Sequence, residues 1–209
     1  MMKKRVITIL DKLRDEYPMA ECALNHKNVF ELIIAVALSA QTTDVSVNKV
    51  TPALFEAYGT PEKLAAANPD EVAEYIRTIG MYKTKSKNIV NLAKGLVLNH
   101  NSQVPKDYDA LVELPGVGRK TANVVLSVGF GVPRIAVDTH VFRLANRIGF
   151  VAEKNVLKTE LGLMKAFPEE RWSEAHHSLI FHGRNCCIAR SPKCEECVIK
   201  EECKRVGVK

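Results

Sequence analysis

Two glycines one residue apart, in Leu114-Pro115-Gly116-Val117-Gly118, limit what the middle of this chain can become. They stand between two segments with helical apolar spacing. Upstream lies Tyr108–Glu113; downstream, the stretch from Arg119 to Val128 and on to Gly129 carries Ala122, Val125, Leu126 and Gly129 on one face. The pattern predicts a helix, a tight hairpin and a second helix over about residues 107–131. Glycine tolerates positive φ and lets another backbone approach. The amides of Gly116, Val117 and Gly118 are expected to lack helical acceptors and to gather at the start of the second helix. An anion is the natural guest of such a terminus, a phosphate above all. On this segment alone, an ordinary turn between antiparallel helices would read the same way.

The rest of the chain reads as helical too. Of its 209 residues, 46% are hydrophobic but only 6% aromatic, which points to an aliphatic, all-α core in one or two domains. About ten helices are expected, joined by short Pro, Gly and Asn turns. The first runs from about Met2 to Tyr17, with Val6, Ile9, Leu10 and Leu13 on one face and Pro18 ending it. The second, about Asn28 to Ser39, is apolar nearly all round and so is expected to be buried. Thr43 or Asp44 can cap a third, and Pro61 and Pro69 each follow a capping residue, Thr60 and Asn68. Lys83, Lys85 and Lys87 open a longer helix and read as a solvated face.

The net charge of +6 suits a polyanionic partner. The longest apolar run, Leu32–Ala40, is far short of the roughly 20 residues that cross a bilayer. The N-terminal segment carries Asp11, Lys12, Arg14, Asp15 and Glu16, unlike the apolar stretch of a signal peptide. A cytoplasmic, nucleoid-associated protein with no membrane partner is the expectation.

Five of the six cysteines fall in the last 24 residues. In a reducing compartment such crowding means metal. Cys187-x6-Cys194-x2-Cys197-x5-Cys203 places four thiolates within 17 residues. Four-cysteine zinc is one reading, but zinc ribbons pair two C-x2-C knuckles and this tail has one. Thiolates along a single winding loop suit an iron–sulfur cluster equally well. Cys186, next to the first of them, is a spare or buried thiol on this reading, and Cys22 is expected in the core.

The hairpin, Lys120 behind it and Val137-Asp138-Thr139-His140 further on resemble the signature of the helix-hairpin-helix DNA glycosylases. Over nearly the full length the chain is similar to the endonuclease III family, and the x6-x2-x5 cysteine spacing matches that family's cluster loop. The resemblance implies a [4Fe–4S] cluster on Cys187, Cys194, Cys197 and Cys203. It implies a two-lobed fold: a six-helix barrel over 23–132, and a cluster domain made of 1–22 and 133–209 with the cluster loop at 187–203. Lys120 and Asp138 would then face one another across a cleft, with Lys120 partly desolvated.

The activity it implies is that of a bifunctional DNA glycosylase and AP lyase of base excision repair, working as a monomer. Its partner would be double-stranded DNA carrying damaged pyrimidines, such as thymine glycol, or abasic sites. Lys120 would be the nucleophile. Asp138, well placed to cap the helix after it, would stay ionised and either stabilise charge on the sugar or help deprotonate the lysine. Extruding a base leaves a hole in the stack. By resemblance Gln41 and Met81 would fill it, Met81 standing where the family commonly has leucine. Arg190 and Lys193, between the first two cluster cysteines, would contact phosphate, or else be solvated surface charge. Three rivals remain: a non-catalytic DNA-binding module, an adenine glycosylase and an 8-oxoguanine glycosylase. The adenine enzymes have a residue other than lysine at the Lys120 position, and the 8-oxoguanine enzymes commonly lack the cysteine tail.

Overall fold

The computed structural model describes residues 2–208, and among them every regular element is helical. In chain order these are α1 (Met2–Glu16), α2 (Val29–Leu38), α3 (Asp44–Tyr58), α4 (Pro61–Ala66), α5 (Pro69–Tyr75) and α6 (Tyr82–Asn99). Then follow α7 (Tyr108–Glu113), α8 (Arg119–Val124) running into a π turn (Val125–Gly129), α9 (Thr139–Ile148) and α10 (Val156–Ala166). A 3-10 turn (Glu169–Arg171) leads into α11 (Trp172–Asn185). The chain divides into two units, Ala23–Val132 and Met1–Cys22 with Pro133–Lys209.

Side chains start most of these helices. Asn28 accepts from the Glu31 N–H, while the Glu31 carboxylate turns back to accept from the Lys27 N–H at 2.7 Å. This reciprocal capping keeps a buried carboxylate at the head of α2, a helix otherwise built from Phe30, Leu32, Ile33, Ile34, Ala35 and Val36. Thr43, not Asp44, caps α3, and Thr60 and Asn68 cap α4 and α5 ahead of their prolines. Within the unit Ala23–Val132, α6 packs along α4, α5 and α2.

In that same unit the sequence expectations are corrected twice. The segment after the hairpin is not one α-helix to Val128: it widens into the π turn at Val125. Val125, Leu126 and Ser127 are all buried there, more of the circumference than a regular helix turns toward one face. A Cβ on Gly129 would lie 2.9 Å from the Val29 side chain, so only glycine lets the turn come this close to α2. The second correction is Lys85, which is not on a solvated face. It is only 5% exposed, and its Nζ donates to Thr42 Oγ1, while Lys83 and Lys87 stay exposed.

In the other unit the apolar face of α1 (Val6, Ile9, Leu10, Leu13) packs with Val141, Leu144 and Ile148 of α9, Leu163 of α10, and Ala175 and Leu179 of α11. The first helix therefore completes a core made by the last ones. Arg5 ties the arrangement further by donating to the carbonyls of Ile148 and Glu202. Cys22 is half-buried and lies outside this core, contrary to expectation.

Candidate functional site

The hairpin has a different requirement at each glycine. Gly116 adopts φ +78°, and a Cβ there would meet Asn88 of α6 at 3.1 Å. Gly118 has an extended backbone, φ −98° and ψ 179°, and a Cβ on it would touch nothing. The fold needs glycine at 116. At 118 it leaves open space beside the helix start, room for something outside the protein. The expected trio of free amides is reduced to two. The Val117 N–H donates to Leu114 O at 3.0 Å, closing the turn, and the Val117 side chain is buried beneath it. Among the described residues the Gly116 and Gly118 amides have no backbone acceptor. Arg119 braces the hairpin by donating to the Tyr108 hydroxyl and lying over its ring.

Lys120 is the second residue of α8, exposed rather than desolvated in the free protein. Burial of its amine would come from a bound partner. Asp138 caps α9, with Oδ1 accepting from the Val141 N–H at 2.8 Å.

Gln41 and Met81 share a trait invisible in sequence. Both have left-handed backbones, φ +54° and +57°, which non-glycine residues seldom adopt, and both are exposed. Lys85 links the two turns: its amide donates to Met81 O, and its ammonium reaches Thr42, next to Gln41. Burial holds the Lys85 pKa below the ordinary lysine value.

The sulfurs of Cys187, Cys194, Cys197 and Cys203 line a single pocket with Cys186, His182, Ile148 and Ile199, and none is in a disulfide. N–H groups converge on them. Arg205 N–H donates to Cys203 Sγ at 3.4 Å, His182 Nε2 lies 3.5 Å from Cys197 Sγ, and Arg147 Nη1 lies 3.7 Å from Cys187 Sγ. Donors suit sulfurs that carry negative charge; three of the four have one, and thiolates gathered in one pocket call for a cation among them. The residues therefore fit an iron–sulfur group. Burial first, then the neighbouring sulfurs, push the Cys186 thiol up to about 12. Arg190 and Lys193 are exposed on the loop between Cys187 and Cys194.

Sequence reasoning missed what holds this loop. Arg147 donates to the carbonyls of Ile188 and Ala189 at 2.7 and 2.8 Å, and Arg143 to those of Gly183 and Cys187 at 2.9 and 3.1 Å. Four residues apart, both lie on one side of α9. The helix that Asp138 caps thus grips the cysteine loop from the side. The only sequence signal was two arginines at helical spacing, which solvated surfaces also produce.

Residues 34–169 match the family model described as the helix-hairpin-helix superfamily of base excision DNA repair proteins, and residues 187–203 match the iron-sulfur binding domain of endonuclease III. The chain is 52% identical over 202 residues to the endonuclease III of Bacillus subtilis, covering 96% of this chain and 92% of that one. It is 49% identical over 203 residues to that of Escherichia coli, covering 97% and 96%. Its structure is similar to a trapped endonuclease III–DNA covalent intermediate, with a TM-score of 0.93 and 50% identity over 98% of this chain and 97% of that one. A thermostable thymine-DNA glycosylase, at 22% identity and TM-score 0.86, shares the fold.

Proposed function

The chain belongs to the helix-hairpin-helix base excision DNA repair superfamily and, within it, to the endonuclease III family; from that premise we propose that Lys120 is its nucleophile and Asp138 its electrostatic partner. The protein is a DNA glycosylase and AP lyase of base excision repair, it carries a [4Fe–4S] cluster, and DNA is its partner. The substrates are oxidised pyrimidines such as thymine glycol, together with abasic sites. It acts as a monomer, in the cytoplasm with the chromosome.

The neutral Lys120 amine attacks sugar C1′, and the N-glycosidic bond breaks with its electron pair leaving on the base. The furanose C1′–O4′ bond then opens, its pair going to oxygen, and a protonated imine joins C1′ to Nζ. That imine acidifies C2′. Loss of the C2′ proton expels the 3′-phosphate by β-elimination and nicks the strand. Free lysine titrates near about 10.4, so it needs help to be neutral. Desolvation under bound DNA supplies it. Asp138 balances positive charge developing on the sugar.

The observation that carries this reading is Gly118. Its backbone is one any residue could adopt, a Cβ on it would touch nothing, and its N–H stands at the head of the helix bearing Lys120. A phosphate seated there brings a nucleotide to the lysine. Gln41 and Met81, projecting from left-handed turns, fill the space an extruded base leaves. Arg190 and Lys193 contact the DNA backbone. The cluster, held by Cys187, Cys194, Cys197 and Cys203, supplies a cross-link that keeps their loop in shape.

Borohydride trapping tests the reading. The protein should form a permanent crosslink to a duplex bearing thymine glycol and to one bearing an abasic site, and none to undamaged duplex. Absence of a crosslink on both damaged duplexes would remove the imine from the mechanism.

A further inference from the structure

The cysteine pocket holds one more sulfur than a four-iron cluster needs. Cys186 Sγ, Cys197 Sγ and a ring nitrogen of His182 all lie within 4.8 Å of one another. Cys186 is the residue that ends α11, and its backbone is held on both sides: its N–H donates to His182 O at 3.0 Å, and its carbonyl accepts from Lys193 N at 3.0 Å. Its thiol rests against the Lys193 carbonyl at 3.5 Å, a weak contact readily given up. With its backbone fixed, one side-chain torsion decides where the sulfur points, and that torsion has three staggered wells.

We propose that Cys186 is an alternative cluster ligand, able to take the place of Cys197 at the iron that Cys197 holds. The inference rests on the cluster assignment made above and adds a fifth residue to it.

Among the described residues, the ligand-atom group that includes Cys186 contains Cys197 but not Cys187, Cys194 or Cys203. The exchange is therefore placed at the corner that Cys197 holds. It is also redox-neutral: the Fe–S bond to Cys197 would break and its thiolate take up a proton, the Cys186 thiol would lose one to solvent and form the new Fe–S bond, and the iron would keep its oxidation state. His182 is the competing donor, since its Nε2 is 3.5 Å from Cys197 Sγ. A thiolate in a site already made of thiolates outcompetes a buried imidazole that is also bound to Tyr17.

The test uses the full chain, purified without oxygen, with iron and sulfide counted and the cluster's visible absorption recorded. Wild type should hold about four iron and about four sulfide per chain, as a cubane requires. Cys197→Ala should keep that content, while Cys194→Ala and Cys203→Ala lose it. Cys186→Ser/Cys197→Ala should lose it as well. A Cys197→Ala protein that has lost its cluster overturns the proposal, and so does a double variant that keeps it, since His182 would then be the substitute. Cys186→Ser alone leaves all four ligands in place and nearly the same volume, so it removes any doubt over folding. A chelator should strip its iron several-fold faster than from wild type, because a detached corner no longer has a second thiolate to hold it. Equal release rates overturn the proposal. Wild type lacking iron would instead sink the cluster assignment, so the two failures are distinct.

Discussion

The Tyr17 hydroxyl lies 3.1 Å from Nδ1 of His182, two residues separated by 165 positions in the chain. The imidazole is buried, and burial pushes its pKa down to about 4, so one ring nitrogen carries a proton and the other does not. With the phenol donating to Nδ1, the proton sits on Nε2, which is 3.5 Å from Cys197 Sγ and can donate to it. A residue at the end of the first helix thus sets which way a histidine presents its proton to a cluster sulfur.

Tyr17→Phe removes that orientation while keeping the ring. One hydrogen bond is worth about 1 kcal/mol, so the protein should still fold. The expected change is in the cluster. With the Nε2 donor no longer enforced, its reduction potential should fall, because sulfur relieved of a hydrogen bond donates more charge to iron. Voltammetry of the purified protein reads this directly. An unchanged potential would mean that the tautomer is fixed by something other than Tyr17.

The two hairpin glycines should separate in mutagenesis. Gly116→Val puts a β-branched residue at φ +78° and against Asn88, a strain of order 1–3 kcal/mol, so it should lower the melting temperature as well as DNA affinity. The Cβ of Gly118→Val meets no protein atom within 4 Å. It should melt like wild type yet bind damaged and undamaged duplex more weakly, since its side chain stands where the phosphate approaches. Equal affinity for Gly118→Val and wild type would show that no backbone comes near Gly118.

Lys85 gives a pH-dependent signature. Its folded pKa is below the unfolded value, so the buried ammonium costs stability at neutral pH, and the cost shrinks as pH rises through the folded value toward about 10.4. Lys85→Met should therefore melt no lower than wild type at pH 7, with its relative advantage declining in alkaline buffer. It also cuts the tie from α6 to Thr42. Base extrusion, followed by a fluorescent base opposite the lesion, should slow several-fold while binding to undamaged duplex is retained.

Features with a local cause could be read from the sequence. A capping side chain, a proline at the first turn of a helix and a glycine pair between apolar runs each act within a few residues, so α4, α5 and the hairpin helices stand close to where their patterns place them. The cysteine spacing is local in the same way. What escaped depends on partners far along the chain. Lys85 is buried because Thr42 lies 43 positions away, and a run of lysines carries no sign of that. The grip of Arg143 and Arg147 reaches 40 to 44 positions on to Gly183, Cys187, Ile188 and Ala189. The π turn arises where a helix must meet α2 at Gly129, a demand of packing that helical periodicity does not encode.

Lys120 and Asp138 should fail differently. Lys120→Gln removes one cation among many, so the fold, the cluster and most DNA affinity should persist, with the salt dependence of binding reduced by about one phosphate at most. Base release, borohydride trapping and strand cleavage should be lost together, because all three pass through one amine. For Asp138 the cap and the charge must be separated. Asparagine caps a helix about as well as aspartate, whereas alanine costs about 1 kcal/mol. Asp138→Asn should keep the bond to the Val141 N–H and melt like wild type, and Asp138→Ala should melt lower. Both should release a damaged base more slowly by a similar factor if the charge is what acts on the sugar. Cleavage at a preformed abasic site should suffer less in each, since the imine forms there without expelling a base. Should Asp138→Asn release thymine glycol at the wild-type rate while Asp138→Ala does not, the residue would be a helix cap and the charge would have no part in the chemistry.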